Sequence, residues 1–474
     1  MSDINIIDTA AGAKVGQTKC PKCGATDISL KESTGELRCN FCRYVFKPDV
    51  LDDMKSGVGD LSGQQIGSGA VDIDNSADTT VTLKCTSCGA EVVVDLNETT
   101  QARCHWCRNM LSINTKVPNG AVPDVILPFK MKREEARARI EQFVGKRQFY
   151  ANKRFKSEFT TENIMGVYFP YMLVDMKGHA SFTGVGEREV RRFERTRGHG
   201  DKEHKETVYV VEKYSVNREC DVEIDDLTVE SSSRRAGAST EHETNNIINA
   251  ILPFDTENCV KYDSNYLKGY TSEKRDVNKG DLQNIVDNQE HEAIKFALND
   301  SVHNYDRGVE WQQSNVTKDG EKWLAAYLPV WLYSYIENPG PHQLIHYVAV
   351  NARTAETIGS VPVNKSRIAL MTGVVWFVAW FLTLVMFLVT SDEPLGSQRP
   401  LYAIVIATLI AIVFGRTTYM KYRNTDARHR FERETKINIK NVESHDVFLN
   451  KFETENSVFN LANNFKVDIL KLDR

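Results

Sequence analysis

The sequence predicts a multidomain chain of mixed class: two small β ribbons, a central α+β domain with a diverged internal duplication, and an α-helical transmembrane hairpin. Three observations carry this. Four Cys-x-x-Cys pairs stand in the N-terminal part of the chain, as two units repeated at a constant offset of 65 residues. From about Val122 the pattern changes to alternating strand-like runs around one clear helix. Toward the C-terminal end two uncharged apolar runs follow one another closely.

The first cysteine unit reads Cys20-Pro21-Lys22-Cys23-Gly24 and then Cys39-Asn40-Phe41-Cys42-Arg43. The second reads Cys85-Thr86-Ser87-Cys88-Gly89 and then Cys104-His105-Trp106-Cys107-Arg108. Fifteen residues separate the inner cysteines in both, room for a short hairpin, and Gly-Ala follows the first pair both times. Two residues between thiolates let a tight turn aim both sulfurs at one ion, and the glycine after it supplies a permissive backbone. A segment of about thirty residues cannot bury enough apolar surface to fold alone, so a metal supplies what the core lacks. The expected ligands of two structural Zn2+ ions are therefore Cys20, Cys23, Cys39 and Cys42, and Cys85, Cys88, Cys104 and Cys107. Iron in a rubredoxin-like site and a thiol redox switch are the alternatives. Four thiolates leave no coordination position open for water, which argues against metal-assisted hydrolysis. His105 could compete as a ligand, but four cysteines suffice and it reads as a surface residue.

The resulting organisation is ribbon 1 at 1–48, a flexible linker at 49–80 rich in Gly, Ser and Asp, and ribbon 2 at 81–115, so that the ribbons move semi-independently. From Lys19 to Arg43 five basic residues face three acidic ones, and from Lys84 to Arg108 three face three. Over all 474 residues the net charge is -5 and the pI about 6.2, which gives no general attraction to a phosphate backbone. Nucleic acid is thus a less favoured partner than protein. The first residues have neither a basic lead with an apolar core nor a glycine at position 2, so neither a secretion signal nor a lipid anchor is expected.

The α+β domain spans 116–364. Residues 132–144 place Ala136, Ile140, Phe143 and Val144 on one helix face. A second helix at 281–298 carries Leu282, Ile285, Val286, Ala293, Ile294 and Ala297. The duplication is read from Ile126-Leu127-Pro128-Phe129 recurring as Ile251-Leu252-Pro253-Phe254, and from the run at 166–175 matching that at 326–335 in aromatic and proline placement. Those aromatics read as core rather than as a ligand site. Residues 187–205 interleave seven Arg or Lys with acids, which suits an exposed hairpin or loop better than a patch for anionic lipid or nucleic acid. Cys220 and Cys259 read as small buried apolar residues. No phosphate loop, nucleophile elbow, zincin helix or dinucleotide fingerprint is present, so neither enzymatic activity nor a small-molecule substrate is expected.

The membrane hairpin covers 365–421. Residues 368–390 form an uncharged run of 23, about 34 Å long as a helix. After a ten-residue loop, 401–420 form a second span in which Arg416 can snorkel to the interface. Lys365 and Arg367 before the first span and Arg416, Lys421, Arg423, Arg428 and Arg430 after the second outweigh Arg399 in the loop. Both termini are therefore expected in the cytoplasm, with the lipid bilayer of the inner membrane as one partner. That compartment keeps the zinc thiolates reduced. The tail at 422–474 is expected to form a small structured cytoplasmic extension.

These features together resemble a group of bacterial membrane proteins that contain a transcription-factor-IIB-type zinc ribbon. The likeness covers most of the chain. It rests on the Cys-x-x-Cys-Gly knuckles, the two Leu-Pro-Phe segments, Gly166-Val167-Tyr168-Phe169-Pro170, Tyr266-Leu267-Lys268-Gly269-Tyr270, Leu328-Pro329-Val330-Trp331-Leu332 and the C-terminal hairpin. The resemblance implies a non-enzymatic membrane anchor or scaffold that works with a cytoplasmic or membrane protein. Envelope-stress proteins of the phage-shock or flotillin-like kind are implied at the cytoplasmic face. The chain departs from the commoner single-ribbon pattern by carrying two. A membrane-tethered nucleic-acid-binding regulator and a thiol-based redox sensor are the competing expectations.

Overall fold

The computed structural model describes residues 4–7, 20–25, 28–31, 34, 36–47, 57–71, 80–95, 102–112, 114, 116–117, 122–145, 149–153, 155, 160–197, 204–232, 251–336, 345–389, 399–423 and 431–454. The first cysteine unit forms its own antiparallel sheet of β2 (Ile28–Lys31), β3 (Glu36–Cys39) and β4 (Val45–Phe46). Ile28 and Leu37 on its inner face are fully buried, in the apolar cluster that also holds Tyr266 and Leu267.

Every other strand among the described residues belongs to one mixed sheet of fourteen strands. Its spine is an antiparallel pair of very long strands, β10 (Ile164–Arg197) and β14 (Val309–Ile336), paired from Ile164↔Tyr333 to Gly186↔Val309 with register shifts between Lys177 and Gly178 and between Thr183 and Gly184. β11 (His204–Glu230) runs along the other edge of β10, and β17 (Lys436–Thr454) along β11. Tyr168, Phe169, Tyr171, Met172, Leu173, Val174 and Met176 are all buried, so this part of β10 is covered on both faces and reads as a continuous apolar run. Beyond Gly186 the same strand alternates arginines and glutamates in solvent, forming with β11 the exposed hairpin expected there. Cys220 and Cys259 are buried, as expected.

Both spine strands carry an internal proline, and the sheet accommodates each in the same way. β13 (Thr271–Glu273) pairs parallel to β10 at Val167 and Tyr168, and the antiparallel ladder with β11 begins at Tyr171. Pro170 falls between them, its carbonyl accepting from the Ser231 N–H at 3.1 Å, so its missing donor faces the handover between two neighbours. On β14, β9 (Val125–Ile126) pairs parallel at Ala326 and Tyr327, β15 (Ile345–Asn351) pairs antiparallel from Val330, and Pro329 lies between. The order short strand, helix, long strand thus occurs twice: β9, α2 (Arg133–Gly145), β10, and then β13, α3 (Lys279–Leu298), β14. The short strand of each set pairs with the long strand of the other. Small strands finish the edges: β12 (Val260–Lys261) on β9 and β16 (Thr357–Gly359) on β15.

Part of the expected flexible linker is ordered. Residues 63–67 form β5 (Gly63–Gly67), parallel to β14 on one side and to β1 (Ile4–Ile7) on the other, and α1 (Ser68–Val71) follows. The Asp124 carboxylate accepts from the Gly69 and Ala325 N–H groups, both at 2.7 Å, and ties this segment to the spine. Gly-Gln-Gln-Ile-Gly has no apolar alternation; the ladder on β14 makes it a strand.

Two helices, α4 (Lys365–Val389) and α5 (Arg399–Arg423), pack on each other, and each contains a stretch long and apolar enough to cross a membrane. Ala403, Ala407 and Ala411 are buried, and Gly415 continues their four-residue spacing opposite Thr372. Small residues at this spacing let helix backbones approach closely. Trp376 adds a hydrogen bond from Nε1 to Thr408 Oγ1 at 3.1 Å. Outward-facing Leu370, Val374, Phe377, Phe381, Leu409 and Val413 are exposed, the opposite of what a soluble core helix shows. Of the tail, 436–454 is β17; its expected continuation through Val458, Phe459, Val467 and Ile469 lies outside the described residues.

Candidate metal centres

Both centres are built from the same pair of turns. In the first, the Gly24 and Arg43 N–H groups donate to the carbonyls of Cys20 and Cys39, at 2.8 and 3.0 Å. In the second, Gly89 and Arg108 donate to Cys85 and Cys104, at 2.8 and 2.7 Å. Gly24 and Gly89 have φ of 72° and 73°, the left-handed region that glycine enters without cost. Arg43 and Arg108 take the same turn at 64° and 62°.

These knuckles converge all eight sequence-predicted cysteines into two tetrads, within each of which the sulfurs lie within 4.8 Å of one another. Cys20 and Cys42 are 3.6 Å apart, as are Cys23 and Cys39; Cys85 and Cys107 are 3.3 Å apart, and Cys88 and Cys104 3.6 Å. A disulfide would bring sulfurs to about 2.05 Å, whereas a tetrahedron with metal–sulfur bonds of about 2.3 Å has edges of about 3.8 Å. The tetrads therefore fit a four-thiolate metal ion. Without one, the crowded thiols divide their protons unevenly. Desolvation pushes Cys20 up, but hydrogen bonds from the Cys23 and Lys22 backbone and from Cys42 outweigh it and bring it to about 7. Hydrogen bonds from Cys104 and Cys107 lower Cys88, while Cys104 is raised by those of Cys107 and Cys88. A divalent cation resolves this competition by taking every sulfur as thiolate.

The centres differ in their surroundings. Ribbon 2 is part of the main sheet: β6 (Thr80–Lys84) lies between β7 (Glu91–Asp95) and β8 (Lys116–Val117), and β7 pairs with β13, which pairs with β10. This corrects the expectation of a semi-independent module. Cys85, Cys104 and Cys107 are buried in the core cluster of Val167, Phe169 and Val330.

His105 is likewise not a surface residue; it has no exposed area. Its Nδ1 lies 3.2 Å from Thr271 Oγ1 and its Nε2 3.6 Å from Glu273 Oε1, while its carbonyl accepts from Ser334 Oγ at 2.8 Å. Trp106 Nε1 donates to the same Glu273 Oε1 at 2.6 Å, and its ring meets Phe169 and Tyr347. The second knuckle is thus plugged into β13 by a histidine and a tryptophan sharing one buried carboxylate. Glu273 lies 168 residues along the chain from His105 and 167 from Trp106, and no local sequence signal marks it.

Ribbon 1 turns the equivalent tip outward. Phe41 occupies the position of Trp106 and is 80% exposed, against 7% for Trp106. Lys22 lies over the half-exposed ring of Tyr44 at 5.7 Å, and Arg38 and Arg43 are exposed nearby in the sequence. Cys23 is exposed and Cys42 partly so.

A third group, Asp175, Asp225 and Asp226, was not anticipated from sequence. Lys322 Nζ lies 2.5 Å from Asp175 Oδ2, the Asp226 N–H donates to Asp175 Oδ1 at 2.9 Å, and Thr256 donates to Asp226, so the cluster is already compensated from within the protein. Burial, with repulsion from Asp175 and Asp225, pushes the Asp226 carboxyl up to about 7. No protein-family model, curated protein or solved structure matches this chain.

Proposed function

We propose that this chain is a non-enzymatic, membrane-anchored scaffold whose first ribbon offers a docking surface to a cytoplasmic or membrane protein, with both tetrads holding structural zinc. The contrast between the twin knuckles carries the reading. Ribbon 2 inserts its aromatic tip into its own body, whereas ribbon 1 holds Phe41 in solvent, two and three residues before exposed Arg43 and Tyr44, with Lys22 over the Tyr44 ring. A large apolar side chain fixed on a rigid turn within a basic rim has the composition of an interface anchor. Zinc is favoured because it suits closed four-cysteine structural sites. The basic residues flanking the helix pair support a topology with both termini in the cytoplasm. The family resemblance adds envelope-stress proteins as the first partners to test. We also infer that the two short strand, helix, long strand units descend from a duplication, each half having kept its proline at the handover.

Photoreactive p-benzoylphenylalanine in place of Phe41, in intact cells, is expected to give a discrete protein adduct that is lost when Cys23→Ser removes the metal. The same group at exposed Val190 should give none. An adduct pattern at 41 matching that at 190 would overturn the reading. The exposed aromatics and bases of ribbon 1 also suit stacking on single-stranded nucleic acid, a second reading. An oligonucleotide shift by the full-length protein that weakens with salt and disappears in Phe41→Ala would put that reading ahead.

A further inference from the structure

Where the soluble body meets α4, the chain is not a free linker. The segment 149–152 lies antiparallel to 362–364, the residues that lead into α4: Asn152 N–H donates to the Pro362 carbonyl at 2.8 Å, Ala151 bridges Val363, and Asn364 N–H donates to the Tyr150 carbonyl at 2.7 Å. Asn364 then caps α4, its Oδ1 accepting from the Arg367 N–H at 3.1 Å. Arg367 closes the assembly, donating from Nη1 to the Phe149 carbonyl at 2.7 Å with its guanidinium 5.4 Å from the centre of the Phe149 ring. The Phe149 and Tyr150 rings meet edge to face at 4.8 Å. Despite these ties, Phe149 stands 56% exposed.

The clamp sets the height of that ring. Arg367 immediately precedes the uncharged run of α4, and at about 1.5 Å per residue the bound Phe149 stands within a few ångströms of where the hydrocarbon begins, inside an interfacial layer about 5–7 Å thick. An exposed phenylalanine, a tyrosine, the guanidinium and the exposed Lys365 are the residue types that settle at that depth: the rings span the polar and apolar layers, and the cations meet lipid phosphates. We propose that Phe149 and Tyr150, with Arg367 and Lys365, form an interfacial anchor that seats the soluble body on the anionic phospholipid surface of the leaflet α4 enters. This rests on the reading of α4 as a membrane span. The anchor makes the soluble body a platform of fixed tilt, rather than a head on a tether.

The test uses the full-length protein in nanodiscs of mixed phosphatidylglycerol and phosphatidylcholine, with p-benzoylphenylalanine placed singly by Phe149→p-benzoylphenylalanine, at Val378 within α4, or at Val190 on the outer part of β10. Irradiation followed by mass analysis of phospholipid adducts reads each position. The expected result is adduct formation at 149 comparable to that at 378 and about tenfold above that at 190, enriched in phosphatidylglycerol at 149 alone. Labelling at 378 with 149 at the level of 190 overturns the anchor and leaves the span intact. Absence of labelling at 378 overturns the span and the anchor with it. Equal lipid preference at 149 and 378 removes the anionic headgroup from the proposal.

Discussion

Trp106 and Phe41 occupy equivalent places in two knuckles of matching backbone geometry, and their surroundings give them opposite work. Trp106→Ala is expected to cost about 3–5 kcal/mol of stability, since it opens a cavity beside Phe169 and removes a donor from buried Glu273. Phe41→Ala should lie within about 0.5 kcal/mol of wild type. Chemical denaturation of the two variants side by side checks the pair, and equal losses would contradict the assignment of one tip to the core and the other to the surface. Asp226 offers a second test at this scale. Its carboxyl is raised to about 7, so the folded chain holds a proton that the unfolded chain releases near pH 4. That contribution to stability is present at low pH and is lost as pH rises through 7. Asp226→Asn should therefore stabilise by an amount that grows between pH 5 and pH 8, on the order of 2 kcal/mol at the upper end, read from thermal unfolding at each pH. A stabilisation that is flat with pH would mean that Asp226 is ionised throughout.

At the scale of elements, what the sequence makes legible is what depends on neighbours close along the chain. The knuckles follow from two-residue spacings and a glycine. The helices α2 and α3 follow from apolar residues three and four apart, and Ala136, Ile140, Leu282, Val286 and Ile294 are buried as that period requires. The apolar helices α4 and α5 follow from uninterrupted apolar length. Elements defined by distant partners escaped: β5 is a strand because β14 and β1 flank it, and three-residue β13 matters because it joins ribbon 2 to β10. Eight ligand candidates were readable from spacing, but the fate of His105 depended on Glu273, far away in sequence. In the hairpin, the small residues on α5 set the approach to α4. Ala407→Leu should force the helices apart, lowering severalfold the yield of a disulfide engineered by Thr372→Cys and Gly415→Cys. An unchanged yield would mean that the alanine stripe does not set the spacing.

For the whole molecule, one spine of two long strands carries both a cysteine tetrad and the approach to the apolar helix pair. β13 brings ribbon 2 against the apolar end of β10, and β15 leads from β14 toward α4. Ribbon 1 rests on the same body through Ile28 and Leu37 but keeps its own sheet and an outward tip. Removing the two metals should therefore have different consequences. Loss from the first centre is local, with exposed Cys23 as the accessible thiol. Loss from the second opens the core around Phe169 and Val330. The most direct test is metal content and unfolding measured together on the purified full-length protein and on Cys23→Ser and Cys104→Ser. The account predicts two zinc ions per wild-type chain and one in Cys23→Ser, with the main unfolding transition kept. Cys104→Ser should lose one ion and shift that transition down by many degrees, or fail to fold. Fewer than two ions in the wild type, or equal effects of the two substitutions on unfolding, would contradict it.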